Sequence, residues 1–160
     1  MRMKSAVFTW AVLVLGAVLC AVPVSGYAAE KDAANDPVKT HLEFLGYQVD
    51  QVEQGLRARH PLKVHIVVSY ARGGIVIQTG FPGKVGAESE GPRFAVVQKL
   101  NQQAWAARFF WSSDGHLLVD AWMPGLYDKA RFAALLEAWE HDIQVLREAY
   151  PGLKAFLKDS

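Results

Sequence analysis

The chain has 160 residues, 51% of them hydrophobic, and carries 17 Lys and Arg against 16 Asp and Glu. This balance, without a basic run, excludes nucleic-acid binding through clustered cations, because phosphate neutralisation needs grouped Lys and Arg. The single cysteine, Cys20, lies near the N-terminus, so the rest of the chain has neither a disulfide nor a thiolate to work with.

Arg2 and Lys4 precede an apolar run over residues 6–22, and Pro23 and the small residues of SGYAA follow. That three-part layout predicts a signal peptide, 1–28, cut after Ala28 or alternatively after Gly26. Two rivals are weaker. The run is short for a membrane anchor, which needs about 20 apolar residues, and Leu19 before Cys20 is bulky for a lipidation site. Removing Arg2 and Lys4 leaves 15 basic against 16 acidic residues, a charge near −1. The expected location is periplasmic or secreted, without stable membrane insertion once the signal is gone.

Residues 29–35 are polar and aperiodic, a flexible leader. Asp36 offers an N-cap oxygen and Pro37 suits the first helical position, while Val38, Leu42 and Leu45 mark one face and Gly46 stops the helix. YQVDQVE is a weakly alternating strand, and GLRARHP, with Arg57, Arg59 and His60, reads as a loop. Val64, Ile66, Val68 and Tyr70 then share one parity, and Ile75, Ile77, Thr79 and Phe81 share another. A two-residue turn at Arg72-Gly73 pairs Tyr70 with Ile75 and Val68 with Ile77, which gives a hairpin with one buried side.

GFPGKVGAESEG is a loop, and its Lys84 lacks the spacing of a phosphate-binding loop. A second helix runs from Pro92 to near Gln103, with Phe94, Val97, Leu100 and Ala104 at helical spacing. Two strands follow, then a long helix from about Leu126 to Ala149 stopped by Pro151-Gly152, and a frayed tail. The predicted fold is α+β, with an antiparallel five-stranded sheet in the order α-β-β-β-α-β-β-α and helices packed on it. The domain spans 36–152 and the C-terminal tail 153–160.

RFFWSSDGHLLVDAWMP concentrates the residues that could do chemistry. A three-residue loop, Ser113-Asp114-Gly115, pairs Ser112 with His116, Phe110 with Leu118 and Arg108 with Asp120, and gathers Ala107, Phe109, Trp111, Leu117, Val119 and Ala121 on one apolar face. In that register His116 and Asp120 stand about 13 Å apart at their Cα atoms, too far for a base and its orienting carboxylate. Ser112 and His116 therefore remain a remote hydrolase option. His41, His60, His65, His116 and His141 have no metal-ligand spacing, Glu137 and His141 read as a solvated pair, and no catalytic, cofactor or metal residue is assigned. Trp105, Trp111 and Trp139 fit core positions, whereas Trp122 does not. The face opposite the core places Phe110, Leu118 and Trp122 beside Arg108 and Asp120, the composition of a protein-binding surface.

LEFLGYQVDQ, the VHIVVSY…GIVIQTGF hairpin, FAVVQKLNQQAWAARFFWSSDGHLLVDAWMP and FAALLEAWEHDIQVL together resemble the YbjN family, described as proposed bacterial sensory-transduction regulators. The resemblance spans roughly residues 37–146, and its strongest part is Leu100-Asn101, the Arg108 strand and the SDG turn. It implies a fold like that of type III secretion chaperones and a non-enzymatic, cofactor-free module that binds a protein or peptide and is often dimeric. A small-ligand carrier with an apolar pocket between sheet and long helix is the alternative.

Overall fold

A computed structural model describes residues 36–53, 55–84 and 90–158; the 1–28 signal peptide and the 29–35 leader lie outside them. Among the described residues no helix is long and apolar enough to cross a membrane. The elements are α1 (Pro37–Phe44), β1 (Gln48–Val52), β2 (Gly55–Arg59), β3 (Ile66–Ala71), β4 (Gly74–Phe81), α2 (Glu90–Gln103), β5 (Ala107–Trp111), β6 (Leu117–Pro124) and α3 (Lys129–Leu153).

α1 starts and stops by local chemistry. The Asp36 carboxylate accepts from Val38 N–H at 2.9 Å, and Pro37 needs no partner for a missing N–H. At the other end Gly46 takes φ 88, so that Gly46 N–H reaches Glu43 O at 3.0 Å and Tyr47 N–H reaches Leu42 O at 3.0 Å. These two bonds satisfy carbonyls that the helix leaves open.

The sheet runs β1-β2-β3-β4-β6-β5 and is antiparallel throughout. It has six strands, not the five expected, because GLRAR is strand β2 and not a loop. Leu56 and Ala58 are both 0% exposed and point into the core while Arg57 and Arg59 point away. Two arginines in five residues mask an alternation carried by only two apolar side chains, and burial between β1 and β3 decides it.

Both expected hairpins are present. Arg72 and Gly73 adopt φ 54 and 67, the doubly left-handed turn that suits the strand twist, and Tyr70 faces Ile75 while Val68 faces Ile77. In the second hairpin Arg108 faces Asp120 and Phe110 faces Leu118, with Gly115 at φ 82.

One face of the sheet, with α1, α2 and α3 against it, forms the core: Ile66, Val68, Ile75, Ile77, Phe109, Leu117 and Val119 pack with Phe132, Trp139 and Ile143. Burial of each such side chain contributes roughly 1.5–3 kcal/mol. α3 begins at Lys129, capped by Asp128, and Leu126 is left exposed. It runs through Pro151 to Leu153, since Leu153 is fully buried and its packing outweighs one lost backbone bond in the last turn. The expected frayed tail is docked as far as Lys158. Leu157 is buried, Lys84 N–H bonds Phe156 O at 2.8 Å and Lys158 N–H bonds Pro82 O at 2.9 Å.

Candidate functional site

At the tip of the β5–β6 hairpin, Ser112 Oγ donates to the Asp114 carboxylate and accepts from His116 N–H at 2.9 Å. The other Asp114 oxygen lies 3.3 Å from His116 Nε2. The hydroxyl, carboxylate and imidazole are thus brought together, contrary to the expectation that they splay along the ladder; the acid is Asp114 in the turn, not Asp120. Their wiring is the reverse of a nucleophile triad, because serine and histidine both bond the aspartate, which holds the middle place that histidine needs to take the serine proton. The Ser112 hydrogen bond above all, with smaller help from a backbone bond of Asp114 and least from the nearby His116, holds the Asp114 carboxyl below the usual range, which makes it a poor base. The Asp114 side chain is 68% exposed on an open turn.

A second aspartate–histidine pair lies where α3 meets β5. Asp142 is 0% exposed, and its carboxylate accepts from the backbone N–H groups of Trp105 at 2.8 Å, Ala106 at 2.9 Å and Ala107 at 2.7 Å. His141 Nδ1 adds a contact at 3.0 Å. Burial acts to raise the Asp142 pKa, but the three N–H groups and the imidazole more than offset it and hold the acid below its ordinary value. His141 pairs here and not as the solvated Glu137 couple expected from spacing. Trp105, expected in the core, is 69% exposed and stacks on the His141 ring at 3.7 Å between centroids. Phe94, expected on the apolar face of α2, is also exposed.

Asn101 completes this edge. Its amide donates to Phe109 O at 2.9 Å and accepts from Phe109 N–H at 2.8 Å, so α2 and α3 satisfy the outward backbone groups of β5. Asp142 could have been found in sequence: it shares the helical stripe of Leu135, Trp139 and Leu146, where a carboxylate demands partners. Asn101 gave no such physical signal and stood out only in the Leu100-Asn101 step of the family resemblance.

The face opposite the core carries Arg108 and Phe110 on β5, Leu118, Asp120 and Trp122 on β6, and Val76 and Gln78 on β4; none is fully buried. Trp122 is 47% exposed. Its indole lies beside Gly74, where an added Cβ would come within 2.6 Å of Nε1, and Leu118 covers Gly80 in the same way, at 2.9 Å. Arg108 meets Asp120 through two bonds, Nη2 at 2.7 Å and Nε at 3.2 Å, and its guanidinium stands 4.9 Å from the Phe110 ring. The Asp120 hydrogen bonds raise the Arg108 pKa further. The four residues expected at a partner surface, Phe110, Leu118, Trp122 and Arg108, therefore share one face.

Between α3 and the sheet, where the ligand-carrier alternative needs an apolar pocket, Trp139, Phe132, Phe109 and Ile77 belong to one buried core cluster. A groove of about 380 Å³ lies instead between α2 and α3, walled by Val96, Leu100, Val145 and Ala149 with Lys99 and Glu148 at its rim. Among the described residues no three His, Cys, Asp or Glu side chains gather as a metal site would require.

With the geometry in place, comparison with solved structures decides the fold. The chain is similar to the crystal structure of YbjN from E. coli, described as a proposed transcription regulator, with a TM-score of 0.59 over 76% of this chain and 93% of that one, at 16% sequence identity. The fold is YbjN-like. No family model matches the chain, and no curated protein matches it in sequence.

Proposed function

We propose that this YbjN-like chain is an exported, non-enzymatic domain, periplasmic or secreted, that binds a protein or peptide on its outer sheet face. One observation carries the reading: the face opposite a filled core holds a half-exposed tryptophan with Phe110 and Leu118, rimmed by the Arg108–Asp120 pair. An apolar centre with a charged rim is how protein-binding patches are built. The inverted order of the Ser112–Asp114–His116 bonds and their exposed position argue against a hydrolase. The E. coli neighbour's description as a transcription regulator fits a module that works through contacts. For this chain a protein contact is the better match, since Arg108 and Arg59 are already paired with Asp120 and Asp50. Export rests on the N-terminal sequence layout.

The test is capture of partners from envelope extract on the immobilised chain and on a Phe110→Ser, Leu118→Ser, Trp122→Ser variant. Loss of the retained protein, with the circular dichroism spectrum unchanged, is the expected result. Equal recovery by both would remove this surface from consideration.

A further inference from the structure

On the reading that the outer sheet face binds protein, we infer that its occupant is a second copy of this chain, stacked face to face about a two-fold axis that runs along the strands between β3 and β4. One row of residues crosses the whole face. Asp50 on β1 is paired in register with Arg57 on β2, Arg57 with Val67 on β3, Val67 with Gln78 on β4, Gln78 with Asp120 on β6, and Asp120 with Arg108 on β5. Read across the sheet, the signs are minus, plus, neutral, neutral, minus, plus.

Reversing that row on itself, as a two-fold axis does, sets Asp50 against Arg108 of the second copy, Arg57 against Asp120, and Val67 against Gln78. Every charge of this row meets its opposite, and each pair occurs twice. The register is also unique: a slip of one strand in one direction places Arg57 against Arg108, and in the other it places Asp50 against Asp120. Like charges across an interface reject such slips. Arg57 has no carboxylate partner among the described residues, so the contact gives it one.

Size follows the same symmetry. In the neighbouring row Val76 faces Trp122, and Gly55 lies beside Ser69. The axis brings the large Trp122 over Gly55 of the second copy, a projection over a residue without a side chain. The alternative of extending the sheet at β5 is closed, because Asn101 and Asp142 already occupy its outward backbone groups. Face stacking of sheets about 10 Å apart with strands nearly aligned is an ordinary packing mode.

Trans-complementation between two charge-reversed variants tests this directly, by sedimentation of the full chain in mild nonionic detergent. The unaltered chain is expected to sediment as a dimer at tens of micromolar. Arg57→Asp alone sets Asp against Asp120, and Asp120→Arg alone sets Arg against Arg57. Each is expected to weaken self-association at least about a hundredfold, since the like-charge contact occurs twice. Mixed one to one, the two variants place every charge opposite its complement, and the dimer returns. A monomeric unaltered chain, a dimer that survives Arg57→Asp in a folded protein, or a mixture that stays monomeric would each overturn the inference. Partner capture by the chain and its triple serine variant scores any protein held by the face, so the binding role can stand when the self-association fails.

Discussion

Phe109 and Phe110 are neighbours in β5 with opposite duties. Phe109 is 1% exposed and packs in the core, with its backbone held by Asn101; Phe110 is half-buried on the other face, under the Arg108 guanidinium. The same side chain serves folding on one face and is available for contact on the other, and the pleat alone decides which. The two aspartate–histidine pairs divide in the same way. Asp142, on α3, is sealed against the start of β5 by three backbone donors, whereas Asp114 stands in solvent with a serine. Residue type says little about function until it is known which side of the sheet the residue faces.

The widest separation is expected between the two phenylalanines. Phe109→Ala leaves a cavity among Trp139, Val119 and Leu117 and is expected to cost about 3–5 kcal/mol, read as a shift in denaturant midpoint. Phe110→Ala is expected to cost less than about 1 kcal/mol; equal losses would erase the distinction between the faces.

Asp142→Ala comes next. It strands three backbone N–H groups at the start of β5, at a cost of roughly 3 kcal/mol. The acid form matters as well. The Asp142 pKa is lower folded than unfolded, so its contribution is complete above the unfolded value near about 4 and is lost as pH falls through the folded one. Asp142→Asn is therefore expected to flatten the stability loss seen on acidification below about pH 4, and an unchanged acid profile would show that the carboxylate is not what titrates.

Smallest of all is the hairpin tip. Ser112→Ala is expected to leave stability within about 0.5 kcal/mol and to leave any ester hydrolysis seen with the chain unchanged. A loss of such activity confined to this variant would restore Ser112 as a nucleophile.

Much of the sheet was legible because its strands alternate. Ile75 to Phe81 and Leu117 to Met123 announce their buried side, and the two turns follow from Arg72-Gly73 and the three-residue loop Ser113-Asp114-Gly115. β2 was not legible, since Leu56 and Ala58 are too few to outweigh two arginines, and only pairing with β1 and β3 makes GLRAR a strand. Trp105 misled because its parity was counted into β5, whereas the connection from α2 is pinned by Asp142 and turns the indole outward. Pro151 misled because a local helix breaker yields to the burial of Leu153. The outer face was legible as a set, Phe110, Leu118, Trp122 and Arg108, since register alone fixes it. The reversed bonding at the tip was not, because it depends on Asp114 folding back from the turn.

The central claim is that the outer face is spare to folding, and the denaturant midpoint of the Phe110→Ser, Leu118→Ser, Trp122→Ser variant tests it most directly. The account predicts a cooperative transition less than about 2 kcal/mol below the unaltered chain, a smaller loss than Phe109→Ala produces alone. A variant that is unfolded, or that loses more than Phe109→Ala, would show that these three side chains hold the fold together and would contradict the claim.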